Sequence, residues 1–180
     1  AVTRERDFLC IAGLPHGRSS RILLRAGLPG EEGLRLHRDT ALTIAMPDRA
    51  PRLVFDSRAF LMPATRAEAR VPLALMNVSA VALRIVRITE RNLVPLSRDW
   101  RLGEALDFWM ADEFHETWGR VVWQGSLEVP PGEANRFQRL SVPVPEAVRA
   151  AGPGLYVMVA RAADGAPGQH RTVTAQPLIL

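Results

Sequence analysis

The stretch Val121-Val122-Trp123-Gln124-Gly125-Ser126-Leu127-Glu128-Val129 alternates apolar and polar side chains more cleanly than any other in the chain. Val121, Trp123, Leu127 and Val129 fall on one face, and Val122, Gln124, Ser126 and Glu128 on the other. A period of two is the spacing of a β-strand, whose successive side chains point to opposite faces. The pattern predicts a strand whose Val121, Trp123, Leu127 and Val129 point between two packed sheets. Similar but weaker runs lie at Phe8–Leu14, Arg21–Ala26, Ala41–Met46, Arg52–Asp56, Val71–Val78, Val81–Ile88, Asn135–Val144, Leu155–Arg161 and Arg171–Ala175. They are bounded by Gly, Pro, Asn and Asp, residues that favour turns. Short strands at this density predict an all-β antiparallel sandwich.

One segment departs from the period of two. Between Asp99 and Trp118, the residues Leu102, Leu106, Trp109, Met110, Phe114 and Trp118 recur at spacings of three and four, which predicts an amphipathic helix near 99–118. Asp99 is placed to accept from a first-turn amide, and Gly119 to end the helix with a positive φ. Such a helix is expected to cross a sheet edge or cap one end of the sandwich. The two prolines of Pro47-Asp48-Arg49-Ala50-Pro51 mark a boundary. Three candidate strands precede it, too few to close a sandwich, so residues 1–46 read as the C-terminal strands of a preceding domain. Residues 47–180, with seven candidate strands and the helix, read as a complete seven-stranded domain.

The chain of 180 residues is long enough to bury a sizeable core, and its 47% apolar and 23% charged composition is ordinary for a globular protein. All 23 basic residues are arginine, which gives a net charge of +4. They are dispersed rather than gathered into a stripe, which argues against nucleic acid as a partner. No run approaches 18 apolar residues, so no membrane-spanning helix is expected. Cys10 is the only cysteine and has no partner for an internal disulfide; it reads as a small buried hydrophobe or as a thiol bonded outside this chain.

Motifs that carry chemistry are scarce. His16, His37, His115 and His170 show no metal-ligand spacing, and His115-Glu116 lacks the second histidine of a zinc-binding helix. Asp112, Glu113 and Glu116 read as the solvated face of the helix. A hydrolase built on His115 and Glu113 lacks a nucleophile. Gly13-Leu14-Pro15-His16-Gly17 and Gly27-Leu28-Pro29-Gly30 read as turns, and Asn77-Val78-Ser79 as the end of a strand that happens to match a glycosylation acceptor. No catalytic, cofactor-binding or metal-ligating residue is assigned, and no cofactor. The chain reads as non-enzymatic.

Several segments, in order, resemble bacterial alpha-2-macroglobulins. They are Cys10-Ile11-Ala12-Gly13-Leu14, Arg25-Ala26-Gly27-Leu28-Pro29, Asp48-Arg49-Ala50-Pro51 with Val54-Phe55, and Val71-Pro72-Leu73 with Asn77-Val78. Further along come Arg87-Ile88-Thr89-Glu90-Arg91-Asn92-Leu93-Val94-Pro95, Val122-Trp123-Gln124-Gly125, Asn135-Arg136 and Pro153-Gly154-Leu155-Tyr156-Val157. The resemblance implies a macroglobulin-like sandwich of the fibronectin type III kind, serving as a structural domain of a periplasmic protease-trapping inhibitor. It implies neighbouring domains of the same parent chain as immediate partners, target proteases met through the whole protein, and an inner-membrane lipid anchor outside this segment. The family's thioester has the form Cys-Leu-Glu-Gln, whereas Cys10 stands in Cys-Ile-Ala-Gly and does not match it. The rival reading is a fibronectin-like module of an adhesin or carbohydrate-binding surface protein, which would present two or three aromatics as a solvent-facing platform, whereas Trp100, Trp109, Trp118 and Trp123 are placed at the expected helix–sheet contact. Open strand edges in residues 1–46 further predict self-association of this chain.

Overall fold

The computed structural model describes residues 2–5, 8–30, 32–57, 60–61, 69–99, 106, 108–163 and 172–180. The chain divides into two compact units, residues 1–49 and 50–180.

The first unit consists of two antiparallel hairpins among its described residues. Strand β1 (Val2–Glu5) pairs with β2 (Phe8–Ile11), and β3 (Arg18–Leu24) with β4 (Thr40–Met46). Opposite residues Ile22 and Leu42, and Ser20 and Ile44, share one face of the β3–β4 ribbon. Leu42 and Ile44 remain 46% and 36% exposed, so this hairpin has an apolar face without a core of its own. The ribbon is closed at one end by the His16 ring, whose Nδ1 lies 3.1 Å from the Pro47 carbonyl.

The second unit is a sandwich. One sheet has three strands in the order β10 (Gln138–Pro143), β7 (Arg70–Met76), β5 (Arg52–Phe55). The other has five, in the order β6 (Phe60–Leu61), β12 (Val173–Ile179), β11 (Leu155–Ala162), β8 (Ala80–Ile88), β9 (Gly119–Glu128). Every strand pair is antiparallel except the short β6–β12 contact. The seven expected strands are all present, and the two-residue β6 is an eighth. Between the sheets, Val71, Leu73 and Leu75 of β7 meet Val81 and Ile85 of β8 and Tyr156, Met158 and Ala160 of β11, all of them fully buried. Pro72 and Pro177 lack an amide donor, yet both lie in strands with neighbours on two sides. They are tolerated because β5 pairs only with Leu73–Met76 of β7, and β6 only with Leu178 and Ile179 of β12.

The helical segment differs from the expectation in extent and in position. A 3-10 turn at Glu90–Asn92 runs into α1 (Leu93–Asp99), and α2 covers Phe108–Trp118. Asp99 therefore ends one helix instead of capping the start of another. Leu102 and Gly103 lie outside the described residues. Pro95 is accommodated because it falls in the first turn of α1, where amides have no partner within the helix. The helices do not cap the sandwich or cross its edge. They cover the outer face of the five-stranded sheet, where Leu96, Leu106, Ala111 and Phe114 bury Val86, Ile88, Val157, Val159 and Ala175. That face is apolar too, which explains why residues 155–160 read as an unbroken apolar run.

Strand β9 corrects the reading of its own alternation. Its register against β8 shifts between Ile85, opposite Trp123, and Val86, opposite Val121, so Val122 is the extra residue of a β-bulge. Trp123, Leu127 and Val129 pack against the core between the sheets as expected, and Val122 joins them. Val121 is turned to the outer face with Val86 and is 36% exposed. Alternation predicts sidedness only while pairing is regular, and one inserted residue reverses it.

Gly119 has a different role from the expected helix cap. It is absent from the positive-φ positions and opens β9 directly. The end of α2 is instead capped by Asn92, whose Nδ2 donates to the carbonyls of Thr117 at 3.1 Å and Trp118 at 3.0 Å. Glycine is required because a Cβ at this position would overlap the Arg87 carbonyl of the neighbouring strand. Gly119→Ala should therefore destabilise the second unit by about 3 kcal/mol, read as a lower urea midpoint with an unchanged slope.

Candidate functional site

Residues singled out in the sequence meet on the outer face of the five-stranded sheet, beside α2. Ala82, Arg84, Gln124, Ser126 and Arg161 face outward from β8, β9 and β11, and Ala111 of α2 closes one side of a cavity of about 430 Å³. The small Ala82 side chain leaves this part of the sheet low. On the other, inner face Gly125 stands opposite Leu83, and a Cβ there would come within 2.6 Å of the Trp123 ring.

The charged groups here hold helix to sheet. Asp112 of α2 pairs with Arg161 of β11, with both side chains partly buried. Asp112 is thus not on the solvated face where sequence reasoning put it; Glu113 and Glu116 are exposed as expected. Arg84 donates to the Asp112 carbonyl at 3.4 Å and meets His115 Nδ1 at 3.2 Å. A guanidinium has no acceptor, so Nδ1 must accept, and the neutral ring carries its proton on Nε2. Nε2 lies 3.9 Å from the Glu116 carboxylate. Among the described residues, His115 meets Arg84 under the helix and Glu116 beside it. Its Nδ1, which would serve as a general base, is occupied by a cation.

The other singled-out residues have local roles. His37 is exposed, and His170 lies outside the described residues. Cys10 is partly buried and stands opposite Thr3 in the first hairpin. Among the described residues no three His, Cys, Asp or Glu side chains converge as metal ligands. Asn77 and Asn135, both at positive φ, clasp each other: Asn77 Nδ2 donates to Asn135 Oδ1 at 3.0 Å, and the Asn135 amide to Asn77 Oδ1 at 2.8 Å. This clasp ties the β7–β8 turn to the loop before β10, and explains why β10 begins at Gln138 instead of Asn135. Trp118 packs on the outer-face core and Trp123 on the core between the sheets, so neither belongs to an aromatic platform in solvent. Trp100 lies outside the described residues.

Residues 54–174 match the family model for the bacterial alpha-2 macroglobulin MG2 domain. The chain belongs to this family. Solved structures agree on the fold. A Salmonella alpha-2-macroglobulin mutant matches 99% of this chain at 19% identity with a TM-score of 0.69. Native E. coli alpha-2-macroglobulin spanning domains MG0-NIE-MG1 matches 100% of it at 19% identity and TM-score 0.57, and the shorter NIE-MG1 piece 74% at 22% and 0.55. The macroglobulin chain spans 56% of the E. coli MG0-NIE-MG1 protein and 10% of the Salmonella one, so its relatives carry it as one part of larger multi-domain chains. No curated protein matches it. Among the described residues no helix is long and apolar enough to cross a membrane.

The Arg84–His115 contact sees solvent and is worth little, as part-exposed polar contacts are. His115→Ala should lower stability by about 1 kcal/mol or less and leave the near-UV dichroism of the folded domain intact. A loss of that signal would show His115 to be part of the core.

Proposed function

We propose that this chain is a structural, non-enzymatic part of a periplasmic alpha-2-macroglobulin that traps proteases, and that its own work is contact with neighbouring domains of its parent. The observation that carries this reading is the family match over residues 54–174, which lies within the self-contained sandwich of the second unit. The engagement of His115 by Arg84 and of Asp112 by Arg161 also supports it, because the groups best suited to hydrolysis are used to hold α2 on its sheet. Trapping and the inner-membrane anchor then belong to the whole protein. The test is to incubate the full parent chain, and this chain alone, with trypsin. The parent should block cleavage of a large protein substrate while sparing a small chromogenic peptide, and this chain alone should do neither. Hydrolysis by this chain alone would sink the reading.

Residues 1–46 complete, in this reading, a preceding macroglobulin-like domain, with residues 47–180 as the next. The exposed Leu42 and Ile44 support that division, since an apolar ribbon face is stabilised only when another strand layer covers it. In the 180-residue chain the same ribbons pair between copies. Deleting residues 1–46 should turn a self-associating protein into a monomer by sedimentation. A monomeric 180-residue chain with protected amides in β3 and β4 would show that these strands are satisfied within it.

A further inference from the structure

At the end of the sandwich where β8 runs into its 3-10 turn, strand pairing sets two like charges against each other. Arg87 of β8 stands directly opposite Arg120 of β9. Residues directly opposite in an antiparallel pair share one face, and like charges there are destabilising. Arg87 is held by the structure. Its guanidinium donates to the carbonyls of Ala151 and, at 3.0 Å, Pro153, and lies 5.9 Å from the centre of the Tyr156 ring. The Arg120 side chain is exposed and has no hydrogen-bond or ion-pair partner among the described residues, and the same is true of the Arg91 side chain in the turn.

These three arginines line one cavity of about 480 Å³, with Glu90 as the acidic residue of its wall. Thr89 lines it too, and its Oγ1 is the buried side-chain polar atom without a hydrogen-bond partner among the described residues. An orphaned buried hydroxyl and two guanidinium groups set opposite each other are both costs in the isolated chain. They coincide at one end of the sheet, and an anion in the groove relieves the charge repulsion. The rest of the lining carries no charge: Ile88, Leu93, Pro153, Gly154 and Leu155. A bare inorganic ion has no use for that surface.

We propose that this groove recognises an acidic polypeptide segment, which presents carboxylates to Arg91 and Arg120 and lays an aliphatic side chain against Leu93 and Leu155. Guanidinium forks suit carboxylates because both are planar and form paired hydrogen bonds. Arg87, already fixed by two carbonyls, supplies field and shape instead of a movable fork. The inference goes beyond the structural role of the domain and does not depend on protease trapping.

The test uses the 180-residue chain, amide-labelled for NMR and titrated with the blocked peptide Glu-Leu-Asp-Glu. The controls are its counterpart Lys-Leu-Lys-Lys and inorganic phosphate. The acidic peptide should bind saturably, with shifts centred on the amides of residues 87–93, 120 and 154–155. Arg91→Gln and Arg120→Gln should each weaken it at least tenfold, and raising salt from about 0.05 M to about 0.5 M should abolish it. Arg120→Gln should also raise the melting temperature of the unliganded protein by about 2 °C, because it removes the repulsion; a residue kept for stability would lower it. No saturable shift, equal binding of the lysine peptide, phosphate binding as tightly as the acidic peptide, or a lower melting temperature for Arg120→Gln would overturn the proposal.

Discussion

Strands β8 and β11 of the five-stranded sheet bury apolar side chains on both faces, and the rest of the second unit is arranged around that fact. Strands β8 and β11 send alternate side chains into two different cores: Val81, Ile85, Tyr156 and Met158 inward to the three-stranded sheet, and Val86, Ile88, Val157 and Val159 outward to the helices. Each such aliphatic side chain taken out of water contributes about 1.5–3 kcal/mol. A two-layer sandwich would leave the outer set wet. The helices are there to cover it, and the excursion between β8 and β9 exists because a sheet with two apolar faces needs a third layer.

That requirement also dictates where the polar groups go. The helical layer covers one part of the outer face and stops at Asp112 and His115, which meet Arg161 and Arg84 rising from the sheet. Partly buried pairs of this kind contribute little net stability, but they hold the helix over one register of the strands. At the opposite end the backbones of β8 and β9 approach so closely that only glycine fits at position 119. The bulge at Val122 absorbs the mismatch between that close approach and the regular pairing beyond Ile85. The same local geometry sets Arg120 opposite Arg87 and shapes the basic groove.

A domain of a larger family chain is expected to bear its function on its surfaces. The apolar β3–β4 ribbon and the basic groove beside Leu155 are surfaces of different chemistry, each located within one of the two compact units. The first calls for strand-on-strand burial, whose strength follows apolar area. The second calls for charge complementarity, whose strength follows salt. Contacts of these two kinds respond differently to ionic strength, which separates them in solution.

Residue order by itself determined the local elements. Period two in Val121–Val129 and Val81–Ile88, turn residues such as Asn77 and Gly13, and the three-and-four spacing ending at Phe114 and Trp118 are short-range patterns, and the strands and the C-terminal part of the expected helix stand where they predict them. The ordered motifs along the chain carried the family. Tertiary structure alone decided which face of a strand is which after a bulge, since Val121 and Val122 exchange sides through pairing with a strand more than thirty residues away. It decided that Asp112 turns inward, because the arginine that receives it comes from β11. It decided that Gly119 serves a close backbone contact and not a helix end. The basic groove was equally illegible: Arg87, Arg91 and Arg120 are three of 23 dispersed arginines until antiparallel pairing brings two of them opposite each other. Alternation and spacing are properties of neighbours in sequence, whereas register, bulges and charge clusters are properties of neighbours in space.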